Sequence, residues 1–482
     1  MKPLKKNIKK GFLLLGSVLI IACSNDDSNN SPTTPEVIDP IDETPATALD
    51  LTQFSANDGV MMQAFYWDVE PIGGWYDEVN TKIEDWAASG INRIWLPAPG
   101  KGQSGMYSMG YDPSDYFDLG EFDQHGTVET RFGSRAELEN LIDKAHNNNI
   151  EVIADIVLGH NSGGGEEYNS YRDKQTYTLF DETHGNASGL FNRTFEDYHP
   201  NSFHTNDEQA LFFEEQDVCH HQDNVQNWFW KNDNSVAKFY KNTIGFDGWR
   251  FDYVKSFGPW VVKAWNDEVG GFSVGENFDG NSSVLEEWVE ASESAAFDFA
   301  CFYRLEEALD RHKDLTILEG GMLRKTYPDK AVTFTANHDT EKDSNEDNYI
   351  MSSNKMKAYA YILTHNGYPT IFYNDYEGSN KEELKKLIQI HNSIATGDIE
   401  VLELNKFEYI MKRNGSGDNP GLILYISLTN GIKARTIQSN WNDKTLIDYS
   451  GNIVSSVKTN EDGTVTIKAP GNGYAIWSIA AE

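Results

Sequence analysis

The sequence predicts an α/β fold: a (β/α)8 TIM barrel with a lobe inserted after the third strand and a C-terminal antiparallel β domain. Three observations carry this. Eight short apolar or β-branched runs alternate with helical patterns, as parallel strands joined by helices do. Roughly 90 residues separate the third run from the fourth, too many for a bare loop in a compact domain. After about residue 400 the rhythm changes to short strands and turns, which is an all-β pattern.

In chain order, the first element is a leader. "MKPLKKNIKK" is basic and "GFLLLGSVLIIA" is an apolar run too short to span a bilayer comfortably. The run ends in "IIAC", which resembles a bacterial lipobox. Residues 1–22 are therefore expected to be a lipoprotein signal peptide, with Cys23 the lipidated residue. Acyl chains would anchor the protein to a membrane, expected to be the outer one, without a spanning helix. The following "SNDDSNN" resembles the export signals of surface lipoproteins in some Gram-negative bacteria. Residues 23–50 are rich in Ser, Asn, Pro, Asp and Thr and read as a flexible tether, because they cannot bury enough apolar surface to fold.

The barrel is expected over 51–160 and 219–400. Its strand candidates are "VMMQAFYW" (60–67), "RIWLP" (93–97), "EVIADIV" (151–157), "GWRFD" (248–252), "GFSVG" (271–275), "AAFDF" (295–299), "AVTFTAN" (331–337) and "TIFYN" (370–374). Among the helices, "SRAELENLIDKAHNNN" (134–149) has Ser134 as N-cap, Glu137 three residues on, and Leu138, Leu141, Ile142 and Ala145 at helical spacing. The inserted lobe, 161–218, is rich in Gly, Asn, His, Asp and Tyr with no clear period. Residues 401–482, with "GLILYISL", "TVTIKAP" and "GYAIWSI", read as a C-terminal β-sandwich. There is no internal repeat.

Acidic residues outnumber basic ones, 75 to 40, for a net charge of −35. Such a field repels phosphate backbones and argues against a nucleic-acid partner; a neutral substrate or a cation suits it better. Past Cys23 only Cys219 and Cys301 remain, which is no disulfide framework.

Catalytic groups of such barrels sit at the C-terminal ends of the strands. Those ends supply Asp155 and His160 ("DIVLGH"), Arg250 and Asp252 ("WRFD"), Glu276 ("VGEN"), and Asn337, His338 and Asp339 ("NHD"). Taken singly, an Arg–Asp pair on a strand or a lone histidine is more often structural. Together they place several carboxylates and a guanidinium at one mouth. Two facing carboxylates are what glycosidic hydrolysis needs: one attacks the anomeric carbon, the other protonates the departing oxygen and then activates water. Arg250 and Asp252, two residues apart, share a strand face and favour an ionised carboxylate, which makes Asp252 the nucleophile. Glu276, on the next strand with no base adjacent in sequence, makes the better acid. Asp247, at the strand's entrance, reads as structural.

These stretches resemble the α-amylase family of glycoside hydrolases. Its four signature segments appear in order: "DIVLGH" (155–160), "GWRFDYVK" (248–255), "VGEN" (274–277) and "FTANHD" (334–339). "SMGYDPSDYFDLGEFDQHGTVETRFGS" (108–134), "DVCH" (217–220) and "GYPTIFYNDYEG" (368–378) resemble its plant and archaeal members. The resemblance implies that Asp339 is a third carboxylate gripping sugar hydroxyls. It implies that Arg250, His160 and His338 orient the nucleophile and the ring, and that Tyr111 stacks beneath the ring. Lys255 becomes a candidate substrate contact. It also implies calcium between barrel and lobe, with Asp207 and Asp217 as ligands and backbone carbonyls at Gly159, Gln209 and Ser256. The family's usual asparagine is Gly159 here, which removes a side-chain oxygen; Asn161 is a possible substitute. Some archaeal relatives hold zinc, but of such a site only His204 and Cys219 remain beside Thr205 and Asn206, which argues against it. Of Trp67, Trp75, Trp95, Trp249, Trp260 and Trp265, one or two are expected to touch substrate, and spacing does not say which.

The implied activity is retaining, internal cleavage of α-1,4 bonds in starch-like glucans by a monomer. The alternatives are an α-glucan transglycosylase or short α-glucoside hydrolase, and a non-catalytic glycan-binding lipoprotein.

Overall fold

The computed structural model describes residues 46–57, 59–203, 212–341 and 349–481. Cys23, the leader and most of the expected tether lie outside the described residues, as do Asp207, Gln209 and the zinc candidate His204.

All eight predicted runs are strands of one closed parallel barrel. We number them β1 (Val60–Gln63), β2 (Ile91–Leu96), β3 (Glu151–Ile156), β4 (Gly248–Phe251), β5 (Phe272–Gly275), β6 (Ala295–Phe297), β7 (Ala331–Thr333) and β8 (Tyr368–Phe372). They follow one another around the barrel in sequence order, β8 closing on β1. Most of their residues are buried, as expected where helices cover a parallel sheet. The helix Arg135–Asn147 shows how local chemistry sets an element. Ser134 and Glu137 form the expected capping box, and Leu138, Leu141, Ile142 and Ala145 are the buried face.

Two registers matter for function. Asp155 on β3 lies directly beside Arg250 on β4. Phe251 on β4 lies beside Gly275 on β5. The ladder continues past the strand ends: Asp252 N–H donates to the Ile156 carbonyl (3.0 Å) and Glu276 N–H to that of Phe251 (2.9 Å). Asp252 and Glu276 are thus fixed by backbone bonding at the barrel's mouth.

The lobe between β3 and β4 carries, among its described residues, a hairpin, Gly165–Asn169 with Lys174–Leu179, and two short 3-10 helices, Phe195–Asp197 and Glu214–Gln216. Beyond the barrel, a six-stranded antiparallel sheet forms the C-terminal domain, with a two-stranded ribbon of Lys433–Gln438 and Thr464–Ala469. The strand Leu422–Ser427 shows how this sheet is used on both faces. Leu422, Leu424 and Ile426 join the large core that includes the barrel, while Ile423 and Tyr425 join a second core with Ile467 of the ribbon. Period-two alternation makes that division.

One expectation changes. The tether was read as reaching residue 50, but Thr47–Asp50 are tied down. Ala48 bridges Ala480, Ala481 N–H donates to the Thr47 carbonyl (2.8 Å), and Leu49 N–H donates to the Tyr449 hydroxyl (2.9 Å). Backbone bonding to the last strand gives this polar segment the order that its composition does not.

Candidate active site

The strand ends converge on a cleft of about 400 Å³ lined by Trp67, Tyr111, His160, Phe212, Asp252, Tyr253, Glu276, Phe278, His338 and Asp339. At its base lies Arg250, fully buried. Its Nη1 donates to Asp155 Oδ1 (2.8 Å) and to Asp252 Oδ1 (2.7 Å), and its Nη2 stands 2.7 Å from Glu276 Oε1. One guanidinium therefore holds three carboxylates. Sequence adjacency assigned Arg250 to Asp252 alone; the register of β5 brings Glu276 to the same fork.

The two carboxylates expected to do the chemistry, Asp252 and Glu276, differ in surroundings. Asp252 is partly exposed to the cleft, whereas Glu276 is buried. Burial, reinforced by Asp252 and Asp339 and opposed by Arg250, pushes the Glu276 carboxyl up to about 8. Tyr253 N–H donates to Glu276 Oε2 (3.1 Å) from a residue held at φ 33°, a conformation unusual outside glycine. Asp339 is the exposed carboxylate, its Oδ2 3.5 Å from His338 Nε2.

Behind these groups runs a relay of neutral donors. Gln63, the polar residue ending β1, meets His338 Nδ1 at 2.9 Å, and His338 Nε2 meets the Tyr111 hydroxyl at 2.8 Å. That hydroxyl donates to Asp155 Oδ2 (2.9 Å), which also accepts from Trp95 Nε1 (3.1 Å). Burial holds His338 below its ordinary value, in keeping with a neutral ring between two partners. Burial pushes Asp155 up, against the pull of Arg250. His160 Nε2 is 2.8 Å from the Tyr111 carbonyl, which fixes one cleft-lining loop against another.

The rings of Trp67, Tyr111 and His338 lie within 12° of parallel, with centroids 5.3–6.2 Å apart. Trp67 is 46% exposed and lines the cleft, so it is the tryptophan available to a sugar face. Trp75, Trp95, Trp249 and Trp265 are core residues, and Trp260 packs on His221 and Trp230. Phe212, Tyr253 and Phe278 are further lining residues that spacing did not single out.

Other expected positions lie elsewhere. Lys255 is turned to Asp279 (2.9 Å) and is not among the residues lining the cleft. Asp247 is structural, accepting from Val152 N–H (2.8 Å) and meeting His146 Nε2 (2.8 Å). Cys219 and Cys301 are both free and buried.

Of the expected calcium donors, Asp207 and Gln209 lie outside the described residues, while Gly159, Asp217, Ser256 and the possible substitute Asn161 are described. Asp217 Oδ2 is paired with His199 Nδ1 at 3.0 Å. Burial works against the His199 imidazolium, but Asp217 and Cys219 outweigh it and push it up to about 10. Asn161 Oδ1 accepts from Arg193 Nη1 (3.1 Å) and from the Tyr198 hydroxyl (2.9 Å), so the substitute ligand faces a cation already. A side chain at Gly159 would run into Ser256, its Cβ falling 2.2 Å from Ser256 Oγ. A hard cation wants six to eight oxygens, and among the described residues no cluster of three or more His, Cys, Asp or Glu is arranged to hold a metal.

The sequence model described as "Alpha amylase, catalytic domain" matches residues 53–399. The chain belongs to the α-amylase family of glycoside hydrolases. A second model of the family, "Alpha-amylase C-terminal", matches residues 422–478. Relatives include the cytoplasmic α-amylase of Escherichia coli, 27% identical over 87% of this chain and 98% of its own. Probable α-amylase 2 of Arabidopsis thaliana is 30% identical over 69% of this chain and 79% of its own. Among solved structures, an Anoxybacillus α-amylase superposes with a TM-score of 0.66 at 16% identity, covering 88% of this chain and 98% of its own. That likeness shows the fold.

Proposed function

We propose that this glycoside hydrolase is a retaining, endo-acting α-amylase that cleaves internal α-1,4-glucosidic bonds of starch-like glucans. The observation that carries the reading is the Arg250 fork, which holds a cleft-facing Asp252 and a buried Glu276 with a raised carboxyl on neighbouring nitrogens. Retention needs carboxyl groups about 5–5.5 Å apart, close enough to share one such partner. Asp252 attacks the anomeric carbon; the C1–O bond breaks, and the leaving oxygen takes the proton of Glu276. Glu276, now ionised, draws a proton from water, whose oxygen attacks C1 and releases Asp252. Asp339, on the open side, binds sugar hydroxyls, and Tyr111, His338 and Trp67 present flat faces to the rings. The names of the relatives, α-amylases from Escherichia coli and Geobacillus stearothermophilus among them, favour a starch-like substrate.

Incubation of the purified protein with soluble starch and, separately, with maltose tests this. Long chains should shorten rapidly to a spread of oligosaccharides of α configuration at first release, with maltose nearly untouched. Inactivity on every α-glucan sinks the reading. Products longer than the substrate would mark a transglycosylase instead. The leader further supports export and lipid anchoring at Cys23 to the outer membrane. Fatty-acid labelling in the native host that persists in Cys23→Ala would refute the anchor.

A further inference from the structure

Arg193 is 1% exposed; Asp197 is within its electrostatic reach, but among the described residues no carboxylate forms a direct ion pair with it. A buried charge without a carboxylate partner is costly and survives only where neutral groups replace its water. Here they do. Nη1 donates to Asn161 Oδ1 (3.1 Å) and Nη2 to the Ser114 carbonyl (2.6 Å). The guanidinium carbon lies 4.2 Å from the centre of the Phe180 ring and 4.7 Å from that of Phe191. Its own backbone is paired in both directions with Phe180 (2.8 and 3.0 Å).

The three segments joined this way are the ones the cleft depends on. Asn161 directly follows His160. Ser114 stands three residues after Tyr111. Arg193 belongs to the lobe. Ser162 N–H also donates to the Pro113 carbonyl (2.9 Å), so the guanidinium closes a junction that the backbone already begins. Asn161, the possible substitute for the missing calcium ligand, thus already binds a cation that the chain itself supplies. We infer that Arg193 is a positioning residue that does this work in place of a divalent ion, holding Tyr111 and His160 at the cleft without calcium. The inference rests on the active-site reading above for the roles of those two residues.

The test uses the full chain, purified through a chelator. Metal analysis should find well under one calcium per chain. The melting temperature, and turnover of starch, should be the same in chelator and in excess calcium chloride. Calcium near one per chain, with melting and turnover that fall in chelator and recover with calcium, overturns the inference. Arg193→Met should lower kcat about ten-fold or more, as small misplacements of reacting groups do, with KM little changed and added calcium giving no recovery. Arg193→Lys should recover part of the loss. A purely structural role would lower the melting temperature and leave kcat intact below it, which refutes positioning. Should Arg193→Met fail to fold, the metal content and chelator response of the unaltered chain still decide. If no α-glucan is turned over, the active-site reading fails, and with it the positioning role, while metal content and melting in chelator still judge whether the fold does without calcium.

Discussion

Arg250 is the residue on which the site turns, and two of its three partners, Asp252 and Glu276, predict different losses. Asp252→Asn should abolish turnover by orders of magnitude while circular dichroism and melting stay near those of the parent, since the amide keeps the size of the group. Appreciable remaining activity would refute its role as nucleophile. Glu276 must carry its proton into the first step, so activity should fall as pH rises through about 8, the value to which burial pushes it. A profile flat to pH 9 would remove Glu276 as the acid. Glu276→Gln should lose starch cleavage yet keep more activity on a glycosyl fluoride, whose leaving group needs no proton. Trp67 is exposed in the free cleft, so Trp67→Ala should raise KM roughly five-fold, about 1 kcal/mol of lost ring contact, with melting unchanged. The pairing of Arg250 with Asp252 was legible because a strand's period is two. The reach of Arg250 to Glu276 was not, because it depends on the register between β4 and β5. Trp67 looked like its five fellows for a similar reason: exposure is a property of the folded surface, and composition carries no sign of it.

At the scale of elements, all eight strands were legible, since short apolar runs alternating with helical patterns mark the buried strands of a parallel barrel. The junction after β3 was only half legible. That Gly159 leaves out an oxygen is visible in the sequence; that Ser256 fills the space is not. Gly159→Ala should therefore cost about 1–3 kcal/mol through overpacking. Ser256→Gly, made together with it, should recover much of that loss, so the two changes should couple strongly in a double-mutant cycle of denaturation midpoints. Additive losses would show that the clash is relieved elsewhere. Asn161 was open as a metal ligand for the same reason: its true partner, Arg193, lies 32 residues away in a lobe with no periodic pattern.

For the whole molecule, two buried groups make stability fall towards alkaline pH. His199 is raised in the folded state, so its contribution is complete below about 6.5 and is lost as pH rises through about 10. Glu276 acts in the same direction between about 4.5 and 8. Melting temperature should decline from pH 7 to 10, and His199→Gln should flatten that decline; an equal slope in both proteins would refute the assignment. The C-terminal domain was legible as β structure, but its double-sided packing was not, because both faces of Leu422–Ser427 are apolar. Nor was the seam between Thr47–Asp50 and the last strand, since nothing in a Ser/Pro-rich segment announces a partner more than 400 residues away. That seam has a mechanical consequence. A pull arriving along the residues before Thr47 meets the Ala48–Ala480 pairing before it reaches β1. Tension is taken up at the edge of the C-terminal sheet, and the barrel mouth is shielded from it like an instrument hung from its case.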